Sequence, residues 1–130
     1  MLSRLGTTAL AATIALVASA AVAGPSDYAF EPVNPEMKKG EDVTVAVRLT
    51  NKTTGKPVSD AVIFKSRVDM APDGMAEMES AVSPQPSKEP RVYAFKTDLP
   101  MAGRYQVTLS AKVQGERETV SGKVIIKASK

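Results

Sequence analysis

Near its C-terminal end this chain alternates strictly between apolar and polar residues, and that pattern constrains the fold more than any other feature. Tyr105, Val107, Leu109, Ala111 and Val113 alternate with Gln106, Thr108, Ser110 and Lys112. Successive side chains of a strand point to opposite faces, so such a segment buries one face and wets the other. Val43, Val45, Val47 and Leu49 repeat the pattern earlier in the chain. After a turn at Gln114–Arg117, the residues Val120, Gly122, Val124 and Ile126 form a returning face. Val62, Phe64, Val68 and Met70 are expected on one face of another strand, and Tyr93 and Phe95 on one face of a later one. Tyr28 and Phe30 mark a short edge strand that ends at Pro32 and Pro35. Nine prolines, all beyond residue 24, disfavour helix, and the helix-like stretch Met75–Ser80 is too short to stand alone.

The spacing predicts strands at 27–32, 41–50, 60–70, 79–83, 91–97, 104–113 and 119–128. Thr53–Pro57 supplies turn chemistry, and the Pro-rich stretch 83–90 is a loop. Gly103-Arg104-Tyr105, at a strand start after a turn, resembles the tyrosine corner of immunoglobulin-like sandwiches. The expected fold is therefore all-β, an immunoglobulin-like antiparallel β-sandwich of about seven strands.

A signal peptide is expected ahead of this domain. Arg4 provides a positive start, residues 5–22 are apolar or small, and Ala21-Val22-Ala23 is a small-x-small cleavage site. Ala18-Ser19-Ala20 offers a second, so cleavage follows Ala20 or Ala23. The division is 1–23 as signal and 24–130 as one domain, soluble after export, with no stable membrane insertion and a periplasmic location. The remaining 107 residues contain no Cys, and an exported domain of this size must then hold together by packing alone.

Composition also limits the chemistry. With neither Cys nor His the chain has no thiol nucleophile, no imidazole base and no ordinary zinc site. Nothing places a serine and a lysine together in a cleft, no glycine-rich phosphate loop is present, and nothing supports a pair of catalytic carboxylates. Beyond residue 23 there are 16 basic and 14 acidic residues, scattered, which is not a nucleic-acid footprint. The expectation is a protein that is not an enzyme, with no organic cofactor and no nucleic-acid partner.

One segment stands apart. Residues 69–78 hold Met70, Met75 and Met78 around Ala71-Pro72-Asp73-Gly74. Thioethers are the softest ligands the chain owns, and soft sulfur suits Cu(I). The competing explanation is packing: methionine fills irregular gaps, Met70 is in phase with Val62, Phe64 and Val68, and Met75 and Met78 could cap an open end of the sandwich. Topology favours clustering. If all seven strands form and each reverses direction in an up-and-down series, the loops after the first, third and fifth share one pole. Those loops carry Met37, the set Met70, Met75 and Met78, and Met101. That outcome rests on the weakest strand, 79–83, without which Met101 moves to the opposite pole.

Three stretches carry a family resemblance: Gly55-Lys56-Pro57-Val58-Ser59-Asp60-Ala61, Asp69-Met70-Ala71-Pro72-Asp73-Gly74-Met75, and Leu99-Pro100-Met101-Ala102-Gly103-Arg104-Tyr105. Together they resemble the YtkA-like, or FixH-like, domain over about residues 28–128. The resemblance implies an immunoglobulin-like sandwich outside the cytoplasm, linked to copper handling beside heavy-metal efflux systems or in oxidase assembly. By position it implies metal-binding roles for Met70, Met75 and Met101, with Met78 beside them. The chain departs from the oxidase-assembly branch in having no membrane anchor after the signal, and it lacks His near the loop. The functional expectation is Cu(I) or Ag(I) bound through Met70, Met75, Met78 and Met101. The ion would be buffered or passed to a periplasmic efflux adaptor or a copper acceptor protein. The alternative is a metal-free interaction module, accessory to an efflux or oxidase-assembly system, whose methionines form an adaptable contact surface.

Overall fold

The computed structural model describes residues 27–130; the signal peptide expected at 1–23 lies outside the described residues. Nine strands form: β1 (Tyr28–Pro32), β2 (Glu36–Lys38), β3 (Gly40–Asn51), β4 (Val62–Met70), β5 (Met75–Ser80), β6 (Val82–Gln85), β7 (Tyr93–Leu99), β8 (Gly103–Lys112) and β9 (Val120–Ser129). They make two sheets, ordered β1-β3-β7-β6 and β2-β9-β8-β4-β5. This is the immunoglobulin-like division of a sandwich into two facing sheets, antiparallel apart from the β2–β9 pair. Among the described residues no helix is long and apolar enough to cross a membrane.

The core lies between the sheets and is built from the alternating faces. Tyr105, Val107, Leu109 and Ala111 of β8 are wholly buried, and they meet Val45, Val47 and Leu49 of β3 and Phe95 and Leu99 of β7 within one cluster. Val120, Val124, Ile126 and Ala128 of β9 complete it. Full burial of one such aliphatic side chain contributes about 1.5–3 kcal/mol, which is how a domain without disulfides holds its sheets together.

Three features differ from the sequence-based expectation. First, β2 is a three-residue strand running parallel to the end of β9, with Met37 opposite Ala128. A strand that short shows no periodicity, and its partner lies some 90 residues away.

Second, the weak strand expected at 79–83 is two strands in different sheets. β5 pairs with β4, the chain turns at Ala81, and β6 pairs with β7. Buried Thr97 donates its hydroxyl to the Ala81 carbonyl at 2.7 Å, which pins the crossing point. The chain is thus no simple up-and-down series, since it passes repeatedly between sheets. Strand directions nevertheless alternate across the crossings, because β5 and β6 follow one another and β7 runs antiparallel to β6.

Third, Val62 and Phe64 do not share a face with Val68 and Met70. The β4–β8 register slips between Ile63 and Lys65, leaving Phe64 as the bulged residue. Before the bulge the even-numbered side chains face solvent, and beyond it they face the core. Val62 and Phe64 are exposed, whereas Val68 and Met70 are buried.

β1 closes the sandwich over β9. A Cβ built on Gly122 would stand 2.6 Å from Cδ2 of Phe30, so the ring lies where a side chain would otherwise be. Gly122→Ala is therefore expected to push Phe30 outward and destabilise the domain by about 1–3 kcal/mol. Urea unfolding would measure the loss, and amide exchange would show faster opening in β1 than in β8.

Candidate functional site

The ends of β2, β4, β7 and β9 and the starts of β3, β5 and β8 meet at one pole. Gly103 stands opposite Ala128, Met37 opposite Ala128, Gly40 opposite Leu99, and Met70 opposite Met75. The backbones of Met37, Met70, Met75 and Met101 therefore lie at this end, with Met78 in the bulged start of β5. The weak segment of the sequence does form strand, and Met101 stays at this pole.

Side-chain environments separate the five. Met70 is the last residue of β4 and is part of the core, 1% exposed, where packing accounts for it. Met75 is half-buried against that core. Met78 and Met101 are 43% and 39% exposed. Met37 packs against the core at the far side of its sheet. β9 and β8 stand between β2 and β4, so its backbone is about 14 Å from that of Met70 at ordinary strand spacing. The Met70 methyl lies against Gly103, two residues after Met101, Met75 stands opposite Met70 in the β4–β5 ladder with Met78 further along β5, and Met37 lies outside this group. The sequence expectation that Met75 and Met78 sit in a turn changes: the turn is only the 3₁₀ segment Ala71–Asp73, and both methionines lie on β5.

Two networks of arginine and aspartate hold this corner. Asp73, in the 3₁₀ turn, accepts the Arg104 backbone N–H at 2.8 Å through Oδ2 and the Arg104 Nε–H at 2.8 Å through Oδ1. The same guanidinium donates to the Pro72 carbonyl. The turn after β4 is thereby fastened to the start of β8. Gly103 permits the approach: a Cβ there would lie 2.7 Å from both Asp73 Oδ2 and Met70 Cε, at a φ of +150°. Arg67 forms the second network, donating to Asp69 and Glu79 at 2.7 Å each and to the Ala76 carbonyl at 2.9 Å. This planar fork ties down the bulge that carries Met78.

Tyr105 positions Met101. Its ring is wholly buried, while its hydroxyl accepts the Met101 N–H at 3.2 Å and donates to the Met101 carbonyl at 2.8 Å. This is the tyrosine-corner geometry, a hydroxyl bonding back to backbone a few residues upstream. The Met101 backbone is fixed and its side chain is left at the surface. Among the described residues no group of three His, Cys, Asp or Glu side chains could hold a metal ion, so the ligands on offer at this corner are neutral thioethers. Sequence reasoning did not reach Arg67, Asp73 and Arg104 as the groups that shape the corner. They lie within or beside the stretches that carry the family resemblance, but pairing across 31 positions has no local signature.

Both aspartates titrate low. Burial pushes the Asp69 carboxyl up, but the Arg67 hydrogen bond, the Ala71 N–H and the charges of Arg67 and Lys123 outweigh it and hold it below its ordinary value. Asp73 is lowered by the Arg104 N–H and then by the Arg104 side chain. A carboxylate whose folded value is depressed stabilises the fold above its unfolded value, near 4, and loses that contribution as pH falls through the folded value. The urea midpoint is therefore expected to fall on acidification from about pH 6 to about pH 3. It should fall less in Asp73→Asn, which retains no titrating group at the Arg104 clasp.

Among solved structures the chain is similar to the ZirS C-terminal domain, at 14% identity over 100% of this chain and 88% of that one, with a TM-score of 0.44. It is also similar to FdeC, described as a broadly conserved Escherichia coli adhesin, at 18% identity over 88% of this chain and 34% of that one, with a TM-score of 0.43. A chimeric titin Z1Z2 matches 78% of this chain at 18% identity, with a TM-score of 0.28. No curated protein sequence matches the chain. The profile of the YtkA-like family matches residues 22–110, from ahead of β1 into β8 and across the whole methionine corner. That span is well over half of the chain, and the protein belongs to the YtkA-like family.

Proposed function

We propose that this YtkA-like sandwich acts in the periplasm, binding Cu(I) or Ag(I) through thioethers at the β4–β5 and β7–β8 corner and releasing the ion to an efflux adaptor or another acceptor. The observation that carries the reading is that the backbones of four methionines, from three separate stretches of strand and turn, lie at the same pole of the sandwich. In this reading Met78 and Met101 are the exposed ligands, Met75 the half-buried one and Met70 the buried one. Soft monovalent ions favour such donors, and thioethers need no deprotonation before binding. Ligand exchange with a partner is easy at exposed thioethers, because no thiolate must be displaced. The family's link to copper handling agrees with this role. Nothing in it calls for a catalytic step.

The exposure of Met78 and Met101 also fits a metal-free contact surface for a partner protein, since methionine adapts to varied neighbours. One set of variants separates the two readings. Anaerobic titration of residues 24–130 with Cu(I) or Ag(I) is expected to show one ion bound more tightly than micromolar, with shifts in the methionine methyl signals of residues 75, 78 and 101. Met78→Ser with Met101→Ser should weaken binding at least tenfold. Met70→Leu removes a buried sulfur at nearly constant volume, and the domain should stay folded. Failure of the unmutated protein to bind at micromolar ion would overturn the metal reading. Retention of a partner protein that is indifferent to chelator would then favour the contact surface.

A further inference from the structure

At the opposite end of β4 the sandwich has an open side. β5 pairs with β4 only at Val68–Met70, then the chain crosses at Ala81 into the other sheet. Residues 62–67 of β4 therefore have β8 on one side and, among the described residues, no strand on the other. In a ladder about half of the backbone N–H and C=O groups of such a stretch point outward and are available to another strand.

Two further observations coincide with this edge. A cleft of about 200 Å³ runs between the two sheets here, lined by Ile63 of β4 and by Pro84, Val92, Tyr93 and Phe95 across from it. Val62 and Phe64, 63% and 53% exposed, are the two most exposed large apolar side chains among the described residues. The neighbouring edge, β6, carries Pro84, which has no N–H to offer.

We propose that the Val62–Arg67 edge of β4 takes up an extended segment of a partner protein in which apolar and acidic residues alternate, adding a strand to the five-stranded sheet. Side chains of an added strand alternate between the two faces of the sheet. One set would lie over the apolar cleft beside Ile63. The other set would lie on the outer face, beside the exposed Val62 and Phe64 and the cation of Lys65. Arg67 is already engaged by Asp69 and Glu79, but Lys65 makes no ion pair among the described residues. The charge that Lys65 sets on the outer face of the edge is positive, and it favours acidic residues in the outer set. The same cation and the bulge at Phe64 disfavour a second copy of this chain, which would set like charges side by side.

The inference is independent of metal binding and is tested without metal. The probe is a blocked peptide alternating valine and glutamate. Its controls are the same peptide with lysine in place of glutamate, and the glutamate peptide with N-methylated alternate amides. Amide shifts of residues 24–130 are followed as peptide is added. Saturable shifts at residues 62–67 and 92–95 are expected with the glutamate peptide. N-methylation should weaken binding about tenfold, through loss of ladder hydrogen bonds. Lys65→Glu, an exposed substitution whose folding is checked by its urea midpoint, should weaken binding about threefold and improve binding of the lysine peptide. Absence of saturable shifts, equal binding of both peptides, or shifts at the methionine pole instead would overturn the proposal. So would concentration-dependent shifts at 62–67 in the protein alone, which would assign the edge to a second copy.

Discussion

Strand β8 is the member on which the rest of the molecule depends. Its inward residues Tyr105, Val107, Leu109 and Ala111 are wholly buried, and its neighbours β4 and β9 pair with it along nearly its whole length. A chain with no disulfide must find its cohesion in such interdigitated faces, because packing is the only large favourable term left to it. β8 also links that core to the surface chemistry. Tyr105 sits in the core by its ring and brackets Met101 by its hydroxyl. Residue 104, one place earlier, clasps the turn that follows Met70. Packing of the sandwich and shape of the methionine corner are thus set by the same strand.

The corner shows how a close approach between turns shapes a site. Gly103 removes the one atom that would collide with both Asp73 and Met70, and Arg104 then reaches a carboxylate and a carbonyl of the neighbouring turn. Arg67 does similar work on the other side, holding the irregular start of β5 by three hydrogen bonds. Both arginines are charge-paired with aspartates held low, so the charged groups nearest the thioethers satisfy one another. Met78 and Met101 are left with exposed side chains. The different depths of the methionines follow from strand geometry: Met70 points inward as the end of an inward-facing series, while Met78 and Met101 lie on bulge and turn, where alternation no longer applies.

The two ends of β4 differ for one topological reason. β5 stays beside β4 for three register pairs and then leaves for the other sheet, anchored in passing by Thr97. Near the pole this makes a closed, hydrogen-bonded corner. Away from it the departure exposes the edge from Val62 to Arg67 and opens an apolar cleft beneath. Lys65 and the bulge at Phe64 are devices that commonly keep such edges from self-pairing, and they also define what kind of strand the edge would accept.

By itself the sequence determined the strands whose side chains alternate cleanly. The inward faces of β3, β8 and β9 were legible to within a residue, because burial on one face of a pleat leaves a period of two in the chain. It also determined the absence of thiol and imidazole chemistry, whereas a common pole for the methionines followed only on condition that strand forms at 79–83, where the fold has β5 and β6. Only the tertiary structure decided which methionines are buried, which strands lie between Met37 and Met70, and where β4 slips register at Phe64. It alone revealed the split of β5 from β6, the parallel strand β2 and the Asp73–Arg104 clasp. The physical reason is range. Alternation is a local consequence of backbone geometry, whereas sheet choice, bulges and ion pairs between turns depend on partners brought together only when distant segments pack.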